Sequence, residues 1–191
     1  MSLKFNLSRF AWVAVLVFLL ALLPQSALAQ KNYGFSGSFH VGSTYPLSDL
    51  NTTSDSNIHF RFDLSFRYQF SHDKIALAIV GFYGFNQFTE DHFSGADNMY
   101  WRNLSLNAKL IFNVTPNYYL YLQAGPGSYK PKVGANCTGY NLGAGFQVPM
   151  GSASRLEFGV DYHTINTPST GEEKIKTKFL TLQLGVIFPL F

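Results

Sequence analysis

Cysteine is almost missing from this chain: Cys137 is the single one in 191 residues. No intramolecular disulfide can form, and no cysteine-based metal set can be assembled from it. Cys137 reads as an incidental loop thiol. Charge is scarce too, with Asp, Glu, Lys and Arg together at 13% and a formal net charge of +3. That balance argues against nucleic acid as a partner, which calls for a concentrated basic face. Beyond Gln30 no apolar run reaches the roughly 18 residues of a spanning helix.

What is present divides the chain in two. Lys4 and Arg9 precede the apolar run "FAWVAVLVFLLALL", and "SALAQ" follows with small residues at the spacing of a processing site. The run is too short to span a bilayer and reads as a secretory leader, cleaved after Ala29. We expect residues 1–29 to be this signal peptide and residues 30–191 a single domain. Without the leader, which carries two bases and no acid, the formal charge falls to +1.

In the remaining 162 residues aromatics are abundant, and they alternate. In "HFRFDLSFRYQF" (His59 to Phe70), Phe60, Phe62, Leu64, Phe66, Tyr68 and Phe70 hold one phase. His59, Arg61, Asp63, Ser65, Arg67 and Gln69 hold the other. A period of two is a β-strand with two unlike faces. Seven further segments read as strands: Tyr33–Tyr45, Ile75–Phe85, Tyr100–Phe112, Tyr118–Tyr129, Thr138–Val148, Leu156–His163 and Phe179–Phe191. Ile75–Phe85 is apolar on both faces, so its phase is open. Short connections ("SHDK", "NVTPN", "PMGSAS") follow the second, fourth and sixth strands, and longer polar ones follow the first, third, fifth and seventh. An even strand number, with short turns at one end and long loops at the other, is the plan of an all-β, up-and-down transmembrane barrel.

Size decides which face is outside. Eight strands enclose only enough room for packed side chains or one small ligand. The phase rich in Phe, Tyr and Leu is too bulky for that space. The opposite phase contains Ser36, Ser38, Ser65, Ser105, Gly139, Gly143, Gly145, Gly159 and Gly185, which suit a narrow interior. The aromatic phase therefore faces lipid. Tyr45, Phe70, Tyr100, Trp101, Tyr118 and Tyr162, near strand ends, suit the interfacial girdles of such barrels.

On these alternating strands, "YLQAGPGSY", "GYNLGAGFQV" and the terminal Phe191, the chain resembles the OmpA/OmpX-like eight-stranded outer-membrane β-barrel proteins. The resemblance implies a monomer in the outer membrane of a Gram-negative bacterium. It also implies a periplasmic N-terminus, lipid and lipopolysaccharide around the barrel, and the outer-membrane assembly machinery as a partner during biogenesis. Phe191 falls out of step with Leu182, Leu184, Val186, Phe188 and Leu190, and Pro189 interrupts the last strand, so the terminal assembly signal departs from the pattern.

Inward charges are Arg61, Arg67 and Lys109 against Asp63, Glu157 and Asp161, with His59 and His163 on the same phase. Unpaired charge in a confined space is costly, so these residues are expected to form a polar network that plugs the lumen. A narrow conduit for ions or small solutes is the alternative. Arg102 and the lysines Lys174, Lys176 and Lys178 are candidates for contact with lipopolysaccharide phosphates. Among barrels that act on lipid A, one deacylase family carries a His-x-Ser pair. Here "HTI" places Ile165 where the serine belongs after His163, and His163 faces inward. No catalytic residue, cofactor or metal is expected, and a lipid A enzyme is the remote reading.

Overall fold

The computed structural model describes residues 33–47, 54–55, 57–70, 74–90, 99–132, 134–151, 153–167 and 175–190. The expected leader and Phe191 lie outside them. Eight long strands run antiparallel: β1 (Tyr33–Pro46), β2 (Asn57–Gln69), β3 (Ile75–Glu90), β4 (Met99–Thr115), β5 (Tyr118–Pro131), β6 (Cys137–Met150), β7 (Ser154–Thr167) and β8 (Ile175–Pro189). Each pairs with the next in sequence, and β1 pairs with β8 from Ser36↔Pro189 to Pro46↔Phe179, so the sheet closes into a barrel with no open edge. Closure satisfies every ladder without water, which is what a lipid environment demands.

The alternation in sequence becomes an inside and an outside. On β2, Arg61 is fully buried while its neighbours Phe62 and Leu64 are 52% and 67% exposed. Leu104, Leu106, Leu142, Val160 and Leu182 extend the same exposed apolar surface around the barrel. A belt of that extent has no counterpart on a water-facing monomer and needs lipid against it.

The structure departs from the sequence reading in several places. β3 resolves its phase: Ala76, Ala78, Val80, Phe82 and Phe88 are buried, whereas Ile75, Leu77, Ile79 and Tyr83 are exposed. Trp101 is not a girdle residue. Its side chain is 4% exposed and packs inside with Phe88, Tyr129, Cys137, Ile165 and Phe179. Cys137 is likewise no loop thiol, since it opens β6 and is buried in that cluster. A short ladder in the connection after β1 went unforeseen, with Ser54 and Asp55 paired to Glu90 and Thr89 of β3.

The interior is also less uniformly small than the pattern implied. Large rings fit because glycines stand beside them. A Cβ on Gly127 or Gly139, which are direct cross-strand partners, would come within 2.9 Å of the Tyr129 ring. One on Gly145 would come within 2.7 Å of the Tyr121 ring. Glycine weakens a strand locally, but here it makes the volume that a bulky lumen side chain occupies. In the β6–β7 turn Gly151 has φ 71°, a conformation that only glycine adopts without strain.

Candidate functional site

From the long-loop end to the short-turn end the lumen is layered. The first layer is apolar, made of Phe88, Trp101, Tyr129, Cys137, Ile165 and Phe179. Phe88 meets Phe179 edge-on at 5.6 Å, and His163 stacks on Phe179 at 4.5 Å. The His163 Nδ1 lies 3.0 Å from the Tyr129 hydroxyl. His163 is buried, and two residues on, on the same face of the strand, stands the buried Ile165 and not a serine. Below this, His59 lies 2.8 Å from Asn86 Oδ1 and 3.3 Å from Gln183 Oε1.

The middle layer is ionic. Arg61 on β2 donates through Nε and Nη2 to both Asp63 oxygens at 2.6 and 2.8 Å, and through Nη1 to Asp161 on β7 at 2.5 Å. Its guanidinium lies 3.8 Å above the Phe82 ring. Asp161 also accepts from Gln123 at 2.7 Å and Gln183 at 3.0 Å, so each oxygen has a donor. Lys109 on β4 donates to Glu157 at 2.5 Å, a contact shared with Gln147 at 2.6 Å, and stands 3.9 Å over the Tyr121 ring. Buried charges are tolerable when paired and hydrogen-bonded this completely.

Sequence reasoning did not single out the residue that joins these two groups. His40 on β1 is fully buried, with Nε2 3.3 Å from Glu157 and Nδ1 3.8 Å from Asp63. Its inward phase was readable, but its position between two carboxylates follows from strand register across the barrel. With His40, Phe82, Gln123 and Gln147 counted, every one of the eight strands supplies a side chain to this layer. It ties opposite walls together.

Arg67 stands apart from the ion pairs. It lies one layer nearer the short turns, donates to Gln69 at 2.5 Å, and has no carboxylate partner among the described residues. Among the described exterior candidates, Arg102 is not brought together with the lysines of β8 either. Arg102 is exposed on β4, donates to the Tyr100 hydroxyl at 3.3 Å, and lies opposite Lys130 of β5. Lys176 and Lys178 belong to β8, four strands away in either direction, and Lys174 lies outside the described residues. Among the described residues no three His, Cys, Asp or Glu side chains converge on a metal position.

The closed barrel and its apolar belt accord with the sequence comparison. Residues 14–188 match the family described as outer membrane protein beta-barrel domain. The chain belongs to that family. It is an outer-membrane β-barrel protein, and its fold has solved counterparts. Neisserial surface protein A (NspA) superposes with a TM-score of 0.60 at 16% identity, over 83% of this chain and 99% of that one. Ail, the attachment invasion locus protein of Yersinia pestis, superposes at 0.52 and 16% identity, over 84% and 100%. At these identities the likeness concerns the fold. No curated protein matches the sequence. As in outer-membrane barrels generally, the short turns mark the periplasmic end and the long loops the exterior.

Proposed function

We propose that this outer-membrane barrel is a non-enzymatic, monomeric scaffold that acts at the cell surface through its exterior end, with a lumen closed to solutes. The observation that carries the reading is the ionic layer drawn from all eight strands, capped by the apolar layer on the exterior side. Two successive obstructions of unlike chemistry would have to open for an ion to pass. On the outer rim, the exposed Arg102 and Lys130 are cross-strand partners, an arrangement suited to anionic headgroups of the surrounding leaflet.

The test is single-channel recording of the refolded protein in a planar bilayer, with folding verified on the same sample. Silence across the voltage range is the expected result. Discrete, reproducible openings would overturn the closed scaffold and assign the narrow-conduit reading, with Arg61, Asp63, Lys109 and Asp161 forming its gate.

A further inference from the structure

Beneath the ionic layer the lumen is open. A cavity of about 980 Å³ runs from the short turns up to Asp63 and Lys109, with Ser36, Ser65, Arg67, Tyr119 and Arg155 on its wall. Among the described residues its charges without an ion-pair partner are all basic. Asp63 is held by Arg61, and Lys109 by Glu157. That leaves Arg67, Arg155 and, at the exposed mouth, Lys74, with no carboxylate bonded to either arginine among the described residues. Each arginine has one hydrogen bond there, Arg67 to Gln69 at 2.5 Å and Arg155 to Gln147 at 3.2 Å. A guanidinium has five N–H donors, so most donors of both arginines have no protein partner among the described residues.

The two share one aromatic neighbour. The Arg67 and Arg155 guanidinium carbons lie 6.0 and 4.3 Å from the centre of the same Tyr119 ring, so they are at most 10.3 Å apart. That ring is itself fixed by its hydroxyl, which donates to the Pro116 carbonyl at 3.2 Å. Two like charges enclosed side by side in a half-buried site repel unless an anion lies between them. In the layer above, Arg61 and Lys109 stand among Asp63, Asp161 and Glu157, whereas both described charges beside Tyr119 are basic.

We propose that this periplasm-facing vestibule binds a phosphate-type oxyanion between Arg67 and Arg155. A phosphate group carries about one negative charge as a diester and about −1.5 to −2 as a monoester near neutral pH, and its oxygens match guanidinium forks. The cavity is larger than a bare phosphate, so the group arrives on a small solute or on a phospholipid headgroup of the inner leaflet. The site lies at the opposite end from the surface function proposed above and does not depend on it.

The experiment is calorimetric titration of inorganic phosphate into the protein extracted in a maltoside detergent, which contributes no phosphate. Chloride at matched ionic strength is the reference. One saturable site is expected, weakened about ten-fold or more in Arg67→Gln and in Arg155→Gln, and unchanged in Lys130→Gln at the other end. The charge-keeping Arg155→Lys should bind with intermediate strength, which separates lost recognition from lost folding. Repeating the titration in phospholipid nanodiscs identifies the source. Binding in both media assigns a free solute, and binding in detergent that vanishes in the discs assigns a lipid headgroup already in place. No binding in detergent, a response equalled by chloride, or binding indifferent to both arginine substitutions would overturn the site.

Discussion

Two charged regions of one lumen, a few residues apart along the same strands, are built on opposite rules. In the middle layer Arg61 makes three hydrogen bonds to two carboxylates, Asp63 on its own strand and Asp161 on β7, and Asp161 accepts from three other strands. In the vestibule Arg67, on the same strand as Arg61, reaches only Gln69, and Arg155, on the same strand as Asp161, reaches only Gln147. The first arrangement is what a wall-to-wall tie requires. The second leaves donors with no protein partner among the described residues. Inward charge in a narrow barrel is therefore not one category: part of it holds the cylinder, and part of it is available.

The sharpest way to break the comparison is to remove a partner from the tied layer. Asp161→Ala leaves Arg61 without its second carboxylate and strips Gln123 and Gln183 of their acceptor. Arg61 keeps Asp63, and we expect a loss of about 3–5 kcal/mol from three charge-assisted hydrogen bonds removed and buried amide donors left without an acceptor. Urea unfolding of the refolded barrel measures it. In a double-mutant cycle with Arg61→Ala the second substitution should cost less than it does alone, since the residues share one interaction. Additive losses would mean that the pair does not act as a unit.

A smaller effect should follow from filling the space that glycine leaves. An added Cβ in Gly145→Ala would collide with the Phe158 carbonyl on the facing strand and with the Tyr121 ring. Overpacking of this kind costs about 1–3 kcal/mol. If Tyr121→Leu in the same chain restores most of that stability, the ring is the obstacle. If it does not, the strand contact is.

Smaller again is Tyr129→Phe in the apolar layer, which removes one hydrogen bond to His163 and leaves the ring packing in place. About 1 kcal/mol is expected from equilibrium unfolding. A loss of several kcal/mol would show that the exterior layer is held by its polar contact and not by its rings.

The particular residues show why some of this was legible in sequence and some was not. Arg61, Phe62, Asp63 and Leu64 declare their faces by alternation alone, because period two is a local property of the backbone. The same rule reached its limit on Ile75–Phe85, where Phe82 faces inward beneath the Arg61 guanidinium and Phe88 completes an apolar layer. A strand apolar on both faces carries no phase signal. Trp101 misled for a related reason: near a strand end a tryptophan suits either a girdle or a stopper, and only its phase relative to Asn103 and Ser105 assigns it. Partnerships across the lumen were beyond reach. That Arg61 meets Asp161, one hundred positions away, follows from the stagger of eight strands, to which no short window of sequence has access.

The vestibule supplies the smallest expected change and the most discriminating one. Arg155 is half-buried and charged, so the general expectation for replacing such a residue is a loss comparable to that of Asp161. Its surroundings argue otherwise. It has no carboxylate to abandon among the described residues, its hydrogen bond to Gln147 is long at 3.2 Å, and a second guanidinium shares its aromatic neighbour. Arg155→Gln removes a repulsion together with a weak contact, and the two nearly cancel. Unfolding in phosphate-free buffer should therefore shift by no more than about 0.5 kcal/mol in either direction. A loss approaching that of Asp161→Ala would place Arg155 in the tied layer and dissolve the distinction between the two regions. Near-neutrality would mean that this arginine is retained for something other than holding the barrel together.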